Sequence, residues 1–135
     1  MTLKKILRSL LIIKQIRYFY GKIRFVILKK THGIKRLNEN GMIRPETLDH
    51  NKSALKNIWT DFNMIRSSWL VHLLLSLEQI NKKSKILIIG PRTENEILHL
   101  EGHGFENIEA VDLISYSKKI KLQDMHNLKF NKNNF

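Results

Sequence analysis

Apolar residues recur at steps of three and four from the start of the chain: Leu3, Ile6, Leu7, Leu10, Ile13, Ile16, Tyr20, Ile23 and Ile27. That is the helical period, and it predicts a helix over Leu3 to Lys30, with Gly21 as the point where it would bend or divide. Thr31 to His50 is polar, contains Gly33, Gly41 and Pro45, and reads as a connector. A stronger helical pattern follows, opened by Asn51 or Ser53 and carried by Leu55, Ile58, Trp59, Phe62, Ile65, Trp69, Leu70, Leu73, Leu74 and Leu77 to Ile80. Its expected role is a core-facing helix packed on a sheet. The pattern then changes. Lys85 to Ile89 is a short apolar run closed by Gly90, as in a strand buried on both faces. Thr93 and Glu96 have the spacing of a capping box, and Ile97, Leu98 and Leu100 ride the helix that Gly102, His103 and Gly104 bring to a stop. Ile108 to Leu113 predicts a second strand with Asp112 near its C-terminal end, and Lys119 to Leu122 a third. Strand, tight turn, helix and strand with an acidic end form half of a doubly wound α/β sheet.

The turn after the first strand narrows the ligand. A dinucleotide site needs Gly-x-Gly-x-x-Gly, so that backbone N–H groups approach a pyrophosphate. Here Gly90 stands alone in the turn, and Pro91 has no N–H to offer, which argues against a phosphate cradle. Asp112 falls 22 positions after Gly90, near the roughly 20 expected of a carboxylate that accepts ribose hydroxyls. A ligand with a ribose and no phosphate fits this pattern, and S-adenosylmethionine is the common one. Its sulfonium is a cation and gains nothing from an anion site at a helix N-terminus.

These residues resemble the first half of a class I S-adenosylmethionine-dependent methyltransferase. Ile86 to Gly90 is similar to the family's first motif, although Gly90-Pro91-Arg92-Thr93-Glu94 departs from its usual Gly-x-Gly-x-Gly. Asp112 matches the acidic residue after the second strand, and Gln123-Asp124-Met125-His126 resembles the adenine contact. The resemblance covers roughly the last 50 residues and implies a partial Rossmann-like sheet of about three parallel strands, preceded by long helices. It implies S-adenosylmethionine contacts at Gly90, Asp112, Leu113, Asp124 and Met125, with Asp112 on the ribose, the Asp124 side chain on the adenine amino group and the Met125 N–H on a ring nitrogen. The polar segment Lys129 to Phe135 is similar to the loop that precedes the family's fourth strand, so the chain reads as truncated or as one half of a split enzyme. The methyl acceptor is not implied, and no residue is singled out as catalytic.

Charge divides the chain differently. Residues 1–38 hold 11 Lys and Arg and no Asp or Glu, whereas residues 39–135 hold 13 basic and 12 acidic residues. Nearly all of the net +12 thus belongs to a basic amphipathic arm (1–38), followed by a connector and helix (39–84) and the cofactor-binding α/β unit (85–135). Three uses of the arm follow: an anionic membrane surface, suited by Tyr18, Phe19 and Tyr20; packing on the rest of the protein; and, less specifically, nucleic acid. A non-enzymatic module, with this arm as its active part at a membrane or an acidic partner, is therefore the alternative to a methyltransferase. Charges interrupt every apolar run short of a spanning segment, and no secretory signal is evident, so the expected location is cytoplasmic or peripheral on a membrane. The chain has no cysteine, and its six His residues lack ligand-like spacing, so no metal site is expected.

Overall fold

In the computed structural model the N-terminal stripe folds as two helices. α1 (Leu3–Ser9) passes into a 3₁₀ turn (Leu10–Ile12), the chain is extended at Ile13, and α2 (Lys14–His32) runs on through Gly21. The division expected at Gly21 falls at Ile13 instead. The reason is a side chain: Arg17 Nη1 donates to the carbonyls of Leu11 and Ile12 at 2.7 and 3.0 Å, satisfying acceptors at the helix break. The structure describes residues 2–37, 45–55 and 61–130, with side chains from residue 65 onward in the last segment.

The connector carries structure of its own. Gly33 ends α2 at φ 68, a left-handed angle that glycine adopts without strain, and β1 (Lys35–Arg36) follows. α3 (Pro45–Ala54) begins on a proline, whose missing N–H costs nothing in a first helical turn, with Glu46 beside it. The single helix expected from Asn51 or Ser53 to Ile80 is not formed. α3 ends at Ala54, α4 spans Asp61–Leu75, and Leu77 and Ile80 lie in the turns beyond it. Ile58, Trp59 and the side chain of Phe62 fall outside the described residues.

The remaining elements are β2 (Ile86–Ile89), α5 (Asn95–Gly102), β3 (Ile108–Asp112), β4 (Ile114–Ser115) and β5 (Lys121–Leu122). β2, β3 and β5 form a parallel sheet in that order, with Ile86 opposite Ile108 and Val111 opposite Lys121. The third strand is thus shorter than the expected Lys119 to Leu122. β4 pairs antiparallel with β1, a contact the connector reading did not anticipate. The protein is mixed α/β, with five α-helices and a three-stranded parallel sheet among the described residues. Among those residues, no helix is long and apolar enough to cross a membrane.

α5 organises the packing. The capping box does not form: the Thr93 hydroxyl accepts from Asn95 N–H at 3.3 Å, but the Glu96 carboxylate turns to Ser67 Oγ at 2.9 Å. The C-terminal stop is a Schellman motif. Phe105 N–H reaches Leu100 O at 3.1 Å, Gly104 N–H reaches Glu101 O at 3.0 Å, and Gly104 sits at φ 90. Phe105 and Leu100 join Val71 of α4 and Ile86 of β2 in one apolar cluster. Ile97 packs with Ala110 and Ile120 in another. At Gly102 the 3₁₀ turn approaches so closely that a Cβ would lie 3.0 Å from Ile12 N.

α4 is less buried than its pattern suggests. Ser67 and Val71 are buried, but Trp69 is 63% exposed and Ile65, Leu70 and Leu73 are exposed too. It packs chiefly on α5, and only its C-terminal half joins the sheet cluster. β2 has no strand on its other edge among the described residues, and its last residue, Ile89, is 49% exposed at the strand ends where a strand buried on both faces was expected.

Two arginines of α2 point inward onto the N-terminus of α5. Arg17, 1% exposed, gives Nε to Asn95 Oδ1 at 3.1 Å and Nη2 to Ser68 Oγ at 2.9 Å, in addition to the two carbonyls of the helix break. Burial lowers its pKa to about 10, with the Glu96 charge partly opposing. Arg24 grips the fully buried Glu94 with two bonds, Nε to Oε2 at 2.5 Å and Nη2 to Oε1 at 2.9 Å. Ser117 Oγ also donates to Glu94, and Glu94 N–H donates to Tyr116 Oη at 2.9 Å. Burial alone would raise the Glu94 pKa; the bonds from Arg24 and Ser117 overcome it and hold the carboxyl below its usual range. Removing one partner of such a pair leaves the other poorly solvated. Because the Arg24 side chain keeps 28% exposure, the expected loss on Glu94→Gln is about 2–3 kcal/mol, read by urea unfolding at pH 7.

His99 sits behind this hub, buried against His72 of α4 and His103, with ring centroids 5.7 and 5.1 Å away. Burial first, then the charges of Arg17, His103 and His72, push its pKa down to about 3. The unfolded chain therefore takes up this proton near the ordinary pKa while the folded chain does not. The stability it contributes is complete above about pH 6.5 and is lost as pH falls towards 3. Between pH 7 and pH 5, unfolding free energy should drop by about 1–2 kcal/mol from this group, and His99→Gln should flatten that part of the profile.

Candidate functional site

The carboxyl ends of β2, β3 and β5 open onto one cavity of about 500 Å³. Its lining contains all five residues that the sequence singles out: Gly90, Asp112, Leu113, Asp124 and Met125. Gly90 follows directly on β2 at φ 66, and its N–H is held by Val111 O of β3 at 2.8 Å. A Cβ there would meet nothing within 4 Å, so the requirement for glycine lies in the backbone angle and not in space. The turn continues through Arg92, a non-glycine residue at φ 54.

Asp112 is what fixes that turn. Its Oδ2 accepts from Arg92 N–H at 2.9 Å, and its Oδ1 from Leu113 N–H at 2.7 Å and more weakly from Ile114 N–H at 3.4 Å. The carboxylate is 6% exposed and binds the end of β3 to the turn after β2. Each carboxylate oxygen has two acceptor sites, so Oδ2 keeps capacity for a ligand hydroxyl. β5 supplies the far wall. Gln123 N–H bonds Asp112 O at 3.1 Å, and the chain then turns on Asp124, whose Oδ1 accepts from His126 N–H at 3.0 Å in an Asx turn. Met125 lies on the rim, 57% exposed.

Two further lining residues escaped the sequence reading. Thr47 and Asn51, four positions apart on α3, face the cavity from across the strand ends. They fall in and beside the stretch read as a connector; the signal that marks them is Pro45 followed by Glu46, an ordinary helix start. The lining as a whole is mixed. Ile89, Leu113 and Met125 give an apolar floor and rim, Asp112 and Asp124 two carboxylates, and Arg92 and His126 the basic side chains. A cavity of this size with a few converging polar groups is typical of a small-molecule site. Among the described residues no group of His, Asp or Glu is arranged to hold a metal ion.

No family model matches this chain, and no curated protein or solved structure matches it either.

The two aspartates carry different structural loads. Asp112→Asn should cost about 1–3 kcal/mol, because charge-assisted bonds to buried amides are lost, whereas Asp124→Asn should cost under about 1 kcal/mol. Gly90→Ala should cost about 1–2 kcal/mol through strain at positive φ alone. Thermal melts of the three variants side by side check all three values.

Proposed function

We propose that this chain carries the S-adenosylmethionine half-site of a class I methyltransferase, built on the first strands of a Rossmann-like sheet. One observation supports the reading above all others. Three parallel strands wound in one direction bring their carboxyl ends to a single cavity, and the expected ligand-contacting residues line it. On this reading the methionine part passes over Gly90, where the left-handed turn leaves the backbone uncovered. Asp112 accepts a ribose hydroxyl while it holds the turn in place. Asp124 accepts from the adenine amino group, and the Met125 N–H reaches a ring nitrogen. Two carboxylates and a proline-interrupted turn suit a ligand that carries a cation and no phosphate.

The reaction this site would serve is an in-line displacement. The acceptor atom attacks the methyl carbon, the carbon–sulfur bond breaks, and sulfur keeps the electron pair as S-adenosylhomocysteine leaves. Positioning of donor and acceptor supplies most of the acceleration. On this reading the edge of β2 that no described strand pairs is where a fourth strand lies in such a sheet.

Titration calorimetry with S-adenosylmethionine and S-adenosylhomocysteine tests the proposal on the full chain. Asp124→Ala is the better control, since Asp112 is also needed for the turn. The expected result is saturable binding of both ligands, weakened about tenfold or more by Asp124→Ala with the melting curve unchanged. A folded chain that binds neither ligand overturns it.

A further inference from the structure

The helix that holds the N-terminal arm to the protein is amphipathic in the reverse sense. α2 presents Arg17, Gly21, Arg24, Phe25 and Leu28 to the interior, and Arg17 and Gly21 are buried outright. Its apolar stripe, Ile16, Phe19, Tyr20, Ile23, Val26 and Ile27, faces away, with Phe19 65% exposed and Val26 58%. These six recur at steps of three and four, so they form one continuous strip down the helix. Lys22 and Lys29, both exposed and seven positions apart, run along one flank. At its N-terminal end the strip meets an apolar cleft of about 670 Å³ between α1, α2 and α5, to which Ile16, Tyr20, Leu3 and Leu7 contribute and which Lys4 and Arg8 border.

We infer that this outward face of α1 and α2 is a docking surface for an anionic lipid bilayer, on which the helices lie in the interfacial plane. Exposed apolar strips of this extent mark binding surfaces. Charge selects the occupant: of the 11 basic side chains in the first 38 residues Arg17 and Arg24 are turned inward, and no acidic side chain offsets the others. A second copy of this arm would bring like charges together, which disfavours self-association through it. Nucleic acid calls for cations at the centre of the contact, and here the centre is apolar with lysines at the margin. Apolar centre and basic margin together match acyl chains beneath anionic headgroups, with the long lysine stems reaching outward. The inference does not depend on the methyltransferase reading, since no residue of the strip lines the strand-end cavity.

Sedimentation with sucrose-loaded vesicles of phosphatidylcholine, alone or with about one-third phosphatidylserine, tests it on the full chain. Partition into the anionic vesicles should exceed that into neutral ones by about tenfold or more and fall with added salt. The pair Phe19→Glu and Ile23→Glu should lower it about tenfold or more, as should Lys22→Glu with Lys29→Glu. All four positions are exposed, so the melting curves should not move. A folded chain that fails to partition, or partitions equally into neutral vesicles, overturns the proposal. So does unchanged binding by the Phe19→Glu, Ile23→Glu pair. Self-association that this pair abolishes, in a chain that ignores vesicles, would assign the strip to a second copy and overturn it as well.

Discussion

The rest of the molecule depends on the grip of two α2 arginines on the start of α5. Arg24 and Glu94 form a two-bond ion pair around a fully buried carboxylate, and Arg17 spends its donors on Asn95, Ser68 and the carbonyls of the helix break. Burying a guanidinium and a carboxylate is costly unless they are paired, and here Arg17 bonds through Nε, Nη1 and Nη2 while Glu94 accepts from Arg24 and Ser117. The constraint propagates both ways. Towards the N-terminus it orients α2, and with it the apolar strip that faces out. Towards the C-terminus it anchors the residues directly after the Gly90 turn, so the floor of the cavity is braced from behind through Glu94, Tyr116 and Ser117.

The strand-end site shows a related economy of polar groups. Asp112 is both part of the cavity lining and the acceptor that shapes the turn, joining β3 to the segment that leaves β2. A residue in that double position cannot be altered for binding without disturbing the geometry that binding uses. Asp124, at the start of a more open turn, is tied to the local backbone through the His126 N–H. The cavity therefore has one wall that is built into the fold and one that is supported locally, and α3 lies opposite with Thr47 and Asn51.

Much of the C-terminal third was legible beforehand because its information is local. A short apolar run ending on glycine, a helix ended by Gly104, and an acidic strand end are each written within a few neighbouring residues, and the parallel order β2-β3-β5 follows from them. The misreadings arose where a distant group decided. The helix division moved from Gly21 to Ile13 because Arg17 reaches back to two carbonyls. Glu96 left the capping box for Ser67, 29 positions away. Within the connector, β1 pairs with β4, a partner some 80 residues on that no local pattern names.

By itself, then, the sequence determined the strand, helix, strand, strand order of β2, α5, β3 and β5, the placement of nearly all the net positive charge in the first 38 residues, and the set of residues that could meet at the strand ends. Only the tertiary structure decided which face of α2 is buried. Periodicity specifies that a helix has two faces and is silent on which one finds a partner. The apolar strip is the obvious candidate for the core, yet Glu94 lies 70 positions from Arg24, and a buried carboxylate needs a cation more than the core needs another leucine or isoleucine. That long-range pairing, invisible to any local window, turned the helix over and left its apolar side to the outside.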